Sequence, residues 1–149
     1  MQTSLDDARF FLAEIRALVR GSEANQDLQR IRRYFRAYLH CWKCVLDYVR
    51  DVKGYKGYAK ISTWVAWWSR WEVFAQLDIA DREIATLLRE ARDDDTHNHT
   101  VIAHREIAAG LFPIVMFELR AGGRRELLSC CERGAVIAEQ LIQDFSIVQ

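Results

Sequence analysis

Proline occurs once in 149 residues, at Pro113, and glycine only seven times. Little of the chain therefore suits a linker or a disordered tract. Cysteine is sparse as well. Cys41, Cys44, Cys130 and Cys131 fall short of the density of a small secreted scaffold held by disulfides. The longest apolar runs are far below the roughly 20 residues that cross a bilayer. Met1 to Asp7 have neither the basic region nor the apolar core of a signal peptide. Net charge is absent too, with 21 Lys and Arg against 21 Asp and Glu. That balance argues against a protein coated in basic residues for non-specific nucleic-acid binding. There is no Gly-rich phosphate loop and no Gly-x-Ser-x-Gly elbow, so nothing points to a kinase, a serine hydrolase or a nucleotide-cofactor enzyme. These absences together predict a cytoplasmic protein with reduced thiols, no membrane association and no cofactor.

What is present is apolar material in a helical rhythm. Half of the residues are hydrophobic, enough for a chain of this length to bury a core without disulfides or metal. With no repeat and no boundary in composition, residues 1–149 read as one domain. Ser4 with Asp7 suggests a capping box. The helix after it places Ala8, Phe11, Ile15, Leu18 and Val19 on one face, and Gly21 provides its stop. Leu28, Ile31, Phe35, Tyr38, Trp42, Val45 and Val49 then recur at alternating steps of three and four, a seam for packing against partner helices. The same helix carries Arg30, Arg32, Arg33, Arg36 and Lys43 elsewhere on its surface, and ends near Gly54.

Ile61, Trp64, Trp68, Trp71 and Ala75 repeat the pattern in a third helix. Trp67 lies off that stripe and suits an interface. Asp78 with Asp81 are capping candidates for a fourth helix, whose apolar face is Ile84, Leu87, Leu88 and Ala91. Beyond it, Pro113 forbids one regular helix, Ile114 to Phe117 are β-prone, and Gly122-Gly123 marks a turn. A small hairpin is expected near residues 100–121. A closing helix is expected from about Arg124 to Phe145, with Gly134 allowing a close helix crossing despite the cost of glycine in a helix, about 1 kcal/mol. The predicted fold class is all-α: an antiparallel up-and-down bundle of four core helices plus an N-terminal helix, with the hairpin inserted.

Chemistry concentrates in Arg89 to His99. Asp93, Asp94 and Asp95 sit where a helix ends, the terminus at which the macrodipole disfavours negative charge. A polar Asp-Asp-Asp-Thr-His-Asn-His run directly after an amphipathic helix breaks a local rule, and such breaks concentrate at functional sites. Arg92, a polar Asp93 and then His97, with four residues between Arg and His, form a motif; His99 fits with six between. Arg33 and His40 meet the same spacing inside a helix, but only Arg92 is expected to close one.

In this motif and in its outline of helices the sequence resembles the HEPN family. The N-terminal helix and the Pro113 region lie outside the resemblance. The resemblance implies a homodimer whose two motifs meet in a symmetric cleft, and a metal-independent endoribonuclease of the toxin or defence type. His97 would act as acid or base on the ribose 2′-hydroxyl, with His99 as its substitute. Arg92 would neutralise charge on the phosphorane, and Asp93 would orient both. Physically this is sound, because histidine titrates near neutral pH and a fixed guanidinium stabilises phosphate oxyanions. The aspartates would repel RNA unless Arg89, Arg82 or Arg105 offset them. The same resemblance admits a non-catalytic interaction module that binds a protein partner, such as a cognate antitoxin, or nucleic acid.

Other clusters have plainer readings. His40-Cys41-Trp42-Lys43-Cys44 has zinc-like spacing, but it lies inside the seam helix, and Cys130 and Cys131 are adjacent rather than spaced. No Glu-x-x-His pair supports a di-iron bundle. The tryptophan stripe suits core packing better than base stacking, and the arginines of the second helix suit a solvated face.

Overall fold

The computed structural model describes residues 2–21, 27–51, 77–96, 102–107, 113–119 and 122–146. Among these lie four helices and three strands: α1 (Gln2–Arg20), α2 (Asp27–Asp51), α3 (Ile79–Thr96), β1 (Ile102–Ile107), β2 (Pro113–Glu118), β3 (Arg124–Glu126) and α4 (Leu127–Ser146). The all-α bundle holds, and the small sheet sits where the hairpin was expected. The tryptophan-bearing segment from Ile61 to Ala75, with Trp64, Trp67, Trp68 and Trp71, lies outside the described residues, as does Gly54.

The apolar periodicities explain the packing. Ile31, Phe35, Tyr38, Trp42 and Val45 of α2 are all buried, and Leu39 and Leu46 widen the stripe. From α1 come Leu5, Ala8, Leu12, Ile15 and Val19, from α3 Ala85, Leu88 and Ala91, and from α4 Leu127, Cys131, Ile137, Ala138 and Leu141. Phe11, Leu18, Leu28, Ile84 and Leu87 pack at the edges of this core. Arg9 pairs with Glu139 at 2.8 Å and Arg16 with Glu132 at 2.9 Å, so α1 and α4 run antiparallel. Tyr38 Oη donates to the Cys131 carbonyl at 2.7 Å, and Trp42 Nε1 donates to that of Gly134 at 2.8 Å. These bonds satisfy two buried polar tips and fix the rotation of α2 about its own axis.

Gly134 has the role its position predicted. A Cβ there would lie 2.4 Å from Leu88 Cδ1 and 2.8 Å from Tyr38 Oη. Three helices thus meet over a residue with no side chain.

Three local expectations need correction. α1 begins at Gln2, so Ser4 lies within the first turn and does not cap it. Leu5, buried one residue later, already belongs to the helical face. Residues 124–126 form β3, pairing Met116 with Glu126 and Glu118 with Arg124. The closing helix therefore starts at Leu127, because the β2 edge has taken up the backbone groups before it. Finally, α3 continues through Thr96, so Asp93, Asp94 and Asp95 are its last turn and do not follow it.

The sheet has strand order β1-β2-β3 and is antiparallel throughout. Pro113 opens β2 opposite Ile107, at a strand end where its missing N–H does least harm. Gly122 has φ +88° and turns the chain into β3, with its N–H bonded to the Leu119 carbonyl at 2.9 Å.

Candidate functional site at the C-terminal end of α3

α3 is held differently at its two ends. At its start, Asp78 Oδ1 accepts the backbone N–H of Asp81 at 2.8 Å, the N-cap that the sequence suggested. Asp81 does something that its position did not reveal. Its buried carboxylate receives Arg133 Nε at 2.5 Å and Nη2 at 2.6 Å, a two-pronged clamp from α4. Nothing local connects residues 52 positions apart, so only the folded chain shows this pair.

The other end carries the motif. Arg92 donates to Asp93 Oδ1 over a long 3.4 Å. Arg89 Nε lies 3.7 Å from Asp93 Oδ2, an electrostatic contact beyond hydrogen-bond range. Arg89 and Arg92 are half-buried, and Asp93 is the more open of the three. Burial lowers the Arg89 pKa from its ordinary range while Asp93 and Glu90 oppose the shift. An arginine remains charged under such a perturbation. Asp93 is thus flanked by two cations.

The remaining site residues are spread. Arg82 precedes Arg89 by seven residues on the same face of α3, about 10 Å along the axis at 1.5 Å per residue. Its Nη2 donates to the Leu77 carbonyl at 3.2 Å. It also lines an open pocket of about 320 Å³ with Ile79, Glu83, Thr86, Leu87 and Arg125. Arg82 lies about 15 Å from Arg92 by helical rise, well beyond a Debye length of about 8 Å at physiological salt. Arg105 is in β1 opposite Val115. His97 and His99 lie outside the described residues, immediately after the last turn of α3. The structure thus brings together Arg89, Arg92 and Asp93, and sets Arg82 apart from them.

The cysteines do not converge. Cys130 and Cys131 are buried in α4, where burial raises both thiols, Cys130 to about 11. Cys44 Sγ lies 3.7 Å from His40 Nε2 on α2. Among the described residues no three His, Cys, Asp or Glu side chains form a group able to hold a metal ion. Among the same residues no helix is long and apolar enough to cross a membrane.

Comparison with family models, with curated proteins and with solved structures finds no match to this chain. The functional reading therefore rests on the residues themselves.

Proposed function

We propose that this chain is a HEPN-like helical protein that cleaves RNA by attack of the ribose 2′-hydroxyl, as a homodimer of the toxin or defence type. One observation supports this reading above the others. Arg92, with Arg89 beside it, is half-buried next to Asp93 in the last turn of α3, one residue-run before His97. A guanidinium that packing and a carboxylate hold in place is suited to stabilising a phosphorane. An imidazole at His97 takes the 2′-hydroxyl proton and returns one to the departing 5′-oxygen. The products are a 2′,3′-cyclic phosphate and a 5′-hydroxyl, and the step calls for no metal.

The test is incubation of single-stranded RNA with the purified dimer in chelator. Cleavage is expected, with a loss of 100-fold or more in Arg92→Ala and in His97→Ala, and none on a 2′-deoxy substrate. His99→Ala distinguishes the principal histidine from its substitute. Intact RNA after long incubation with folded dimer overturns the nuclease.

A second reading has an observation of its own. The Arg92 guanidinium already faces the Asp93 carboxylate, an arrangement that also serves simply as an ion pair near the helix end. On that reading the domain is a non-catalytic module of the same fold that docks a protein partner. It predicts that Arg92→Ala leaves partner binding unchanged.

A further inference from the structure

The charge of this protein is balanced overall but not locally. From Leu28 to Leu46, α2 carries Arg30, Arg32, Arg33, Arg36 and Lys43 and not one carboxylate. The buried face of α2 is defined by Ile31, Phe35, Tyr38, Trp42 and Val45. At 100° per residue, Arg33 lies directly opposite that face, with Arg30, Arg36 and His40 to either side. All four are exposed. The next acid along the helix, Asp47, is bonded to Lys43 at 2.6 Å. The two hydrogen bonds from Tyr38 and Trp42 to the α4 backbone lock the rotation of α2, so this face is presented in one orientation.

We infer that the exposed face of α2 formed by Arg30, Arg33, Arg36 and His40 is a phosphate-tracking surface for single-stranded RNA. Three considerations favour RNA over an acidic protein. All three fixed cations are arginine, whose planar fork matches phosphate oxygens. They stand in a row, and the row from Arg30 to His40 spans about 15 Å by helical rise, room for several phosphates at about 3.4 Å each along a stacked strand. The face itself offers no large apolar anchor, as protein interfaces of useful affinity do; the other side chains on it are Gln29, Ala37 and Cys44. Recognition here is of the backbone and independent of base sequence. The inference relies on the proposed function only for the choice of RNA among polyanions, and binding is measured separately from cleavage.

The experiment is fluorescence anisotropy with a labelled, non-cleavable 2′-O-methyl RNA of 20 nucleotides, from 50 to 300 mM NaCl. Three phosphate contacts predict a slope of log K against log salt near −2, at about −0.7 per contact for a single strand. The Arg30→Ala, Arg33→Ala, Arg36→Ala triple variant, shown folded by circular dichroism, is expected to bind at least tenfold more weakly at 50 mM NaCl with a slope near zero. The corresponding triple lysine variant is expected to keep the slope. Binding to the non-cleavable RNA is read separately from cleavage of unmodified RNA, so wild-type protein that binds RNA without cleaving it supports this surface while removing the nuclease. An unchanged slope in the folded triple alanine variant overturns the inference. So does the absence of salt-dependent binding by the wild type. Tighter binding of a poly-glutamate peptide than of RNA also overturns it, in favour of an acidic protein partner.

Discussion

Both ends of α3 carry aspartates, and the two sets do opposite things. Asp78 and Asp81 stand at the N-terminus, where the helix dipole favours negative charge; one caps the helix and the other clamps Arg133 of α4. Asp93, Asp94 and Asp95 stand at the C-terminus, where the dipole disfavours them, and Asp93 has only long contacts with Arg89 and Arg92. The first set is explained by the fold. The second stands against the helix dipole, which makes it the place to look for a function.

The sharpest test concerns the point that both ends share. Leu88, from the middle of α3, covers Gly134. Gly134→Val should destabilise the protein by about 3 kcal/mol, read by urea unfolding, because Leu88 and Tyr38 leave no room for a side chain. A near-neutral result would mean that the crossing yields easily and that neither end of α3 is firmly placed.

Asp81→Ala should cost about 2 kcal/mol, since it removes two charged hydrogen bonds from a buried acceptor site. The braced side also has a pH signature. The Cys130 thiol is raised to about 11 in the folded chain, so the folded state stays protonated where the unfolded chain ionises. Stability from this source is complete below about pH 9 and is lost as pH rises towards 11, by about 2 kcal/mol at roughly 1.4 per unit. Unfolding midpoints measured from pH 8 to 11 check this, and Cys130→Ser should flatten the decline.

Smaller effects should separate the ends directly. Asp78→Ala should cost about 1 kcal/mol as a lost N-cap. Asp93→Asn should change stability by less than about 0.5 kcal/mol, because an exposed ion pair contributes little and the dipole opposes the charge. RNA cleavage should nevertheless fall in Asp93→Asn if that residue orients Arg92. Should Asp93→Asn destabilise as much as Asp81→Ala, the contrast between the ends collapses and the aspartate turn is structural.

The legibility of the chain followed the range of the interactions. Seam residues such as Phe35, Tyr38 and Trp42 were readable because the core face of a helix repeats every three or four residues. Gly134 was readable because a glycine inside an apolar face implies a crossing. The turn at Gly122 was readable from its backbone freedom. The start of α4 was missed because β3 forms only by pairing with β2, and the clamp on Asp81 was missed because its partner is on another helix. In the candidate site the order of Arg92, Asp93 and His97 was legible. The extension of α3 through the aspartates was not, since helix propensity there is poor and the flanking arginines act in three dimensions.

Periodicity, the single proline and the glycines at turns thus determined the helices, the hairpin and the identity of the core faces, because each is a relation between residues a few positions apart. Tertiary structure alone decided that Arg133 reaches Asp81 and that α2 is locked by bonds to the α4 backbone. Those outcomes depend on which surfaces meet, and contacts across some 50 to 100 residues leave no trace in local spacing.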